Sequence, residues 1–179
     1  HILRSEIERR TVRGRLRRTA ARDVLAEGAC GRGILHLLEK LHRGDVVALM
    51  GELGTGKTQF VKGICEAFGA RKHVSSPSFV ILNRYEGKDQ SNRELLLYHL
   101  DLYRVKTLDE IYDLGYEEFF YGDGITLIEW AEHLGNLLPL KRFDVHLSYG
   151  TTDSHRRITI ESVTTPVVQV TSVKKAGLQ

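Results

Sequence analysis

Cysteine is scarce in this chain: Cys30 and Cys65 stand alone, with no C-x-x-C spacing. That argues against a disulfide framework or a zinc knuckle and predicts two reduced thiols. Long apolar runs are missing too. No stretch reaches the roughly 18 to 20 consecutive apolar residues of a membrane span, and no basic start leads into an apolar signal segment. A soluble, unsecreted, cytoplasmic protein without membrane contact is expected. The eight histidines form no H-x-x-x-H pair, so no zinc site is expected. The strings N-K-x-D and D-x-x-G, which mark guanine-specific switches, do not occur either. Their absence disfavours GTP.

What is present fits one globular domain: 179 residues, 41% hydrophobic and 27% charged, enough for a core of its own. The net charge of +3 conceals an asymmetry. Residues 1–22 carry eight arginines against Glu6 and Glu8, a charge of +6, and the remaining residues sum to −3. The chain therefore divides into a basic arm over 1–22, a domain over 23–165 and a tail over 166–179. Such an arm is either a solvated extension or a group of cations able to neutralise RNA phosphates.

Hydrophobic spacing places the elements. Ile34, Leu37, Leu38 and Leu41 fall on one helical face, predicting a helix that ends near Gly44. "DVVALM" (45–50) is short, β-branched and uniformly apolar, as in a strand covered on both faces. Phe60, Val61, Ile64, Cys65 and Phe68 define a second helix, with Gly69 placed to end it. "SFVILNRY" (78–85) and "ELLLYHLDLY" (94–103) read as a hairpin joined by the polar segment "EGKDQSNR". Thr107 and Glu110 form a capping box for a short helix. "ITLIEW" (125–130) is a further strand, and "FDVHLSY" with "RRITIES" is a second hairpin. Strands interleaved with helices and hairpins predict an α/β domain of P-loop NTPase type, three layers deep, around a mixed parallel and antiparallel sheet.

Between the first strand and the second helix lies "GELGTGKT": Gly51, Glu52, Leu53, Gly54, Thr55, Gly56, Lys57 and Thr58. It satisfies G-x-x-x-x-G-K-[ST] in the strand–loop–helix setting that its mechanism requires. The plain alternative is a glycine turn with an exposed lysine. In the functional reading, Gly54 and Gly56 lack the Cβ that would stop backbone N–H groups turning inward around phosphates, and the helix start adds its positive dipole end. Lys57 is then the charge clamp and Thr58 the anchor for Mg²⁺. With GTP disfavoured, ATP is the expected nucleotide.

A P-loop also needs an acidic residue at the end of an apolar strand to hold the metal. Asp101 after "LLLYHL" and Glu129 after "ITLI" both qualify, and spacing alone does not choose between them. An unpaired charge in either place would be costly, so at least one should have a cationic or metal partner. His99 alternates onto the same strand face as Asp101 and reads as a structural histidine rather than a ligand.

Taken in order, "GDVVALMGELGTGKT", "SSPSF", "YHLDLYR" and "LIEWAE" resemble the bacterial TsaE (YjeE) family, the small ATPase of threonylcarbamoyladenosine tRNA modification. The resemblance covers about residues 44–162. It implies ATP and Mg²⁺ as cofactors, with the whole octet, Glu52 and Thr55 included, around the nucleotide. It implies that "SSPSF" senses the γ-phosphate through Ser76 and Ser78, the latter standing where the family usually has threonine. Glu129 would be the second Mg²⁺ contact after Thr58, Trp130 would lie beside the site, and Asp101 would act at the catalytic end. Trp130 and Phe79 read equally well as core aromatics. The family departs from this chain ahead of the first helix, where a Ser/Thr-containing segment is replaced by "AEGACGRG". The implied role is ATP hydrolysis in support of a TsaB–TsaD-like complex, with tRNA contacted indirectly. An autonomous P-loop small-molecule kinase and a nucleotide-gated RNA-binding module are the alternatives.

Overall fold

A computed structural model describes residues 29–70, 74, 75, 77, 81–151 and 155–164. The arm over 1–22 and the tail over 166–179 lie outside the described residues, as do Ser76, Ser78 and Phe79. In chain order the elements are α1 (Ala29–Leu38), β1 (Val46–Met50), α2 (Lys57–Ala67), β2 (Leu82–Lys88) and β3 (Glu94–Asp101). They continue with α3 (Leu108–Asp113), α4 (Glu117–Phe120), β4 (Ile125–Glu129), a 3₁₀ segment (Ala131–Leu137), β5 (Arg142–Tyr149) and β6 (Arg156–Val163).

The six strands form one sheet in the order β2-β3-β4-β1-β5-β6. β3, β4, β1 and β5 run parallel, and β2 and β6 join the edges antiparallel. The sheet is therefore mixed, as expected, with β1 at its centre. The side-chain period of two explains why β1 is apolar throughout. Val47 and Leu49 pack with Ile34 and Leu37 of α1 and Phe60 and Ile64 of α2. Val46 and Ala48 face the other way, into Ile111 of α3, Phe119 and Phe120 of α4 and Leu134 of the 3₁₀ segment. Helices thus cover both faces in three layers. No helix among the described residues is long and apolar enough to cross a membrane.

Several boundaries differ from the sequence expectation for identifiable reasons. α1 stops at Leu38, short of the expected end near Gly44. Leu41 still reaches the core, because its N–H bonds Leu37 O and its side chain is buried. The first hairpin is shifted. Ile81 sits in the left-handed region with φ +63°, β2 begins after it, and the strand continues through "EGK" instead of turning there. Gly87 permits this, since a Cβ would stand 2.7 Å from Phe68 O. The turn is made by Asp89, whose Oδ1 accepts from the N–H groups of Ser91 and Arg93, with Asn92 left-handed at φ +63°. Gly69, φ +75°, ends α2 where expected, and the Glu110 carboxylate accepts from Thr107 N–H at 3.2 Å at the start of α3.

At their C-terminal ends β3 and β4 stop one to two residues earlier than the sequence suggests. Asp101 Oδ1 accepts from Tyr103 N–H at 3.1 Å, and this turns the chain out of the sheet before "YR". Arg104 therefore lies beyond the strand that carries Asp101. Trp130 is left-handed, φ +60°, and leads from β4 directly into the 3₁₀ segment.

Candidate functional site

The C-terminal ends of β1, β3 and β4 and the start of α2 meet at one edge of the sheet. Leaving β1, the chain must turn tightly beneath β5. Gly51 does this at φ +137°, where a Cβ would lie only 2.1 Å from Leu147 O. Gly54 at φ +80° and Gly56 at φ +102° adopt backbone conformations that other residues avoid. Gly56 is the N-cap of α2 and gives that helix no side-chain cap. The first N–H groups of α2 therefore remain available to an external acceptor, next to the positive end of the helix dipole.

Within the loop, Thr55 is buried and its Oγ1 donates to Glu52 O at 2.8 Å. Lys57 arches back across the loop, donating from Nζ to Gly51 O at 2.6 Å and to Glu52 O at 2.9 Å. The same ammonium lies 3.7 Å from the centre of the Trp130 ring, close enough for a cation–π contact. Trp130 in turn packs against Tyr103, the rings tilted by 42° with centroids 5.0 Å apart. Burial lowers the Lys57 ammonium below the usual lysine value, while the carboxylates of Glu129, Glu132 and Asp101 oppose that shift. The alternative of an exposed lysine on a glycine turn is thereby ruled out: Lys57 is 4% exposed.

The two carboxylates that spacing alone left unranked are direct register partners, Asp101 of β3 beside Glu129 of β4, and both are buried. Their bonding differs. Glu129 Oε2 accepts from Thr58 Oγ1 at 2.9 Å, and its Oε1 lies 2.8 Å from His99 Nε2. A carboxylate oxygen can only accept, so Nε2 carries the proton. His99 is fully buried, and its Nδ1 has no hydrogen-bond partner. Glu129 is thus held from two sides, by the Thr58 hydroxyl and the His99 imidazole.

These oxygens suit a hard divalent cation that completes its shell with water and phosphate. Mg²⁺ typically takes only one or two carboxylates from protein, and here Thr58 Oγ1 and Glu129 Oε2 adjoin at the mouth of the loop. Among the described residues no group of three or more His, Cys, Asp or Glu could hold a metal ion.

The structure therefore brings together Gly51, Glu52, Gly54, Thr55, Gly56, Lys57, Thr58, Asp101, Glu129 and Trp130. Sequence reasoning missed the role of His99 at Glu129, although its shared strand face with Asp101 was a usable signal. It also missed Tyr149 and Arg156, which approach the loop from the other side. Tyr149 OH donates to Leu53 O at 2.7 Å, and the Arg156 guanidinium reaches Gly54 O at 3.4 Å. Nothing local in the sequence announces those contacts, because they depend on β5 lying beside β1.

A glycine loop between a buried central strand and a helix, with an interior lysine and a hydroxyl–carboxylate pair, defines a P-loop NTPase-like α/β domain. Residues 27–158 match the family described as "Threonylcarbamoyl adenosine biosynthesis protein TsaE". The chain is 41% identical over 120 residues to the tRNA threonylcarbamoyladenosine biosynthesis protein TsaE of Bacillus subtilis, covering 67% of this chain and 71% of that one. It is 38% identical over 120 residues to the protein of the same name from Treponema pallidum, covering 67% and 84% of the two chains. The crystal structure of YdiB from Bacillus subtilis superposes with a TM-score of 0.55 at 35% identity, covering 70% of this chain and 73% of that one. This chain belongs to the TsaE family.

Proposed function

We propose that the chain binds and hydrolyses Mg·ATP at this loop, and that it does so to support N6-threonylcarbamoyladenosine formation in tRNA together with a TsaB–TsaD-like complex. Family membership supports the place in tRNA modification. The observation that carries the nucleotide reading is the convergence of the buried Lys57 ammonium with the Thr58–Glu129–His99 chain at the uncapped start of α2.

Each residue has a role that follows from where it is held. The N–H groups of the loop and of the first turn of α2 bind phosphate oxygens, and Lys57 neutralises their charge. Thr58 and Glu129 would hold Mg²⁺, which when bound neutralises charge on the phosphates. His99 keeps Glu129 from rotating away by occupying its second oxygen. Asp101, one strand over, is placed to orient the attacking water. The carbamoyl chemistry on tRNA belongs to the partner.

Lys57 is the cation bonded inside the loop, and Arg156 touches the loop from outside. An arginine supplied in trans is worth roughly 10³ to 10⁵ in rate in related phosphoryl-transfer sites. The isolated protein is therefore expected to bind ATP and turn it over slowly, with the partner completing the site. The test is steady-state phosphate release at saturating Mg·ATP with and without a TsaB–TsaD complex. Stimulation by the complex supports the proposal. Fast turnover alone, unresponsive to the complex, or transfer of the γ-phosphate to a small acceptor, contradicts it.

A further inference from the structure

The tip of the loop is a four-residue turn that can exist in two forms. Thr55 N–H donates to Glu52 O at 3.4 Å, closing a turn whose central peptide joins Leu53 to Gly54. Gly54 at the third position has φ +80°, the value of a type II turn. Types I and II differ chiefly by a rotation of that central peptide, and glycine tolerates both. The carbonyl and N–H of a trans peptide point in opposite directions. The two forms therefore present opposite dipoles to anything seated in the loop: one offers the Gly54 N–H, and the other the Leu53 carbonyl oxygen, which repels phosphate.

Tyr149, at the end of β5, lies on one side of this peptide. Its hydroxyl donates to Leu53 O at 2.7 Å. Arg156, at the start of β6, packs its guanidinium 4.5 Å from the Tyr149 ring centre and reaches the next carbonyl, Gly54 O, at 3.4 Å. Two consecutive loop carbonyls are thus drawn toward the β5–β6 hairpin, which directs the N–H groups of Gly54 and Thr55 away from it. Tyr149 is 46% exposed and Leu53 66% exposed, so burying apolar surface does not account for the contact.

We propose that Tyr149, steadied by Arg156, is a positioning residue that locks the Leu53–Gly54 peptide in the phosphate-accepting orientation. This rests on the nucleotide reading of the loop given above and adds a residue 96 positions away in sequence to it. The hydroxyl is the active part, since it is what distinguishes the two orientations of the peptide. A ring that merely stacked on a nucleobase would act through its face instead.

The experiment compares wild type, Tyr149→Phe and Tyr149→Leu by calorimetry with Mg·ATP and Mg·ADP, by thermal unfolding of the free protein, and by the amide resonance of Gly54 on ADP addition. Losing one net hydrogen bond predicts roughly three- to tenfold weaker binding of both nucleotides by Tyr149→Phe, with an unfolding midpoint unchanged from wild type. The downfield shift of the Gly54 amide on ADP binding should be lost in the same variant. Nucleotide binding by Tyr149→Phe equal to wild type overturns the inference, and if Tyr149→Leu alone binds weakly the ring is a base platform. A wild-type chain that binds neither nucleotide overturns the reading of the loop and this inference with it.

Discussion

Glu129 offers the sharpest separation of structural from chemical roles, because its two oxygens do different things. Its Oε1 accepts a hydrogen bond from Nε2–H of the fully buried His99, and its Oε2 accepts one from the Thr58 hydroxyl at the loop mouth. Truncation to alanine leaves the buried His99 Nε2–H without its acceptor, and Nδ1 already lacks a partner. An orphaned buried donor costs about 1–3 kcal/mol. In a domain of this size each kcal/mol shifts the midpoint by about 2–4 °C, so Glu129→Ala should unfold on the order of 5 °C lower than wild type. Glu129→Gln keeps an oxygen for His99 and can turn its amide toward Thr58, so its stability should stay within about 1 kcal/mol of wild type. Both variants lose the anionic oxygen that a divalent cation requires, and both should lose the Mg²⁺-dependent part of ATP affinity. Thermal unfolding and calorimetric titration of ATP, with and without Mg²⁺, read the two effects independently. The reasoning is refuted if Glu129→Gln is as unstable as Glu129→Ala, or if it binds Mg·ATP as wild type does.

Three further outcomes follow from the same geometry. Lys57→Ala should weaken Mg·ATP binding by well over tenfold, roughly 1.4 kcal/mol or more, and unchanged affinity in calorimetry would remove the loop from the nucleotide site. Asp101→Ala should retain nucleotide while losing turnover in a phosphate-release assay, in contrast to Glu129→Ala; the opposite pattern would exchange the two roles. Burial raises the Cys65 thiol to about 12, so at pH 8 it is neutral, and only the thiolate reacts with disulfide reagents. In a Cys30→Ser background the folded protein should therefore resist a chromogenic disulfide until it is denatured, and prompt labelling of the native state would contradict the burial.

The parts of this fold that could be read from sequence are those whose cause is local. The apolar β1, the glycine octet and the Thr107–Glu110 cap each carry their reason within a few residues. So does Gly69, whose left-handed backbone ends α2. The parts that could not be read depend on which strands become neighbours. Asp101 and Glu129 were both visible as strand-end acids, but the contact of His99 on β3 with Glu129 on β4, across the parallel pair, was not. Tyr149 and Arg156 looked like ordinary hairpin residues until β5 was found beside β1. The polar segment after Tyr85 misled for a different reason. Turn composition marked "EGKDQSNR", but packing of Gly87 against Phe68 O at the end of α2 kept the first part of it in the strand, and the turn moved to Asp89.

In the proposed function this site, acting on ATP, sustains threonylcarbamoyladenosine formation. This is tested most directly in a bacterial strain lacking its own family member, by quantifying the modified nucleoside in hydrolysed tRNA after expression of wild type or Lys57→Ala at matched protein levels. The account predicts that wild type restores the nucleoside and Lys57→Ala does not. Restoration by both proteins, or by neither, would contradict it.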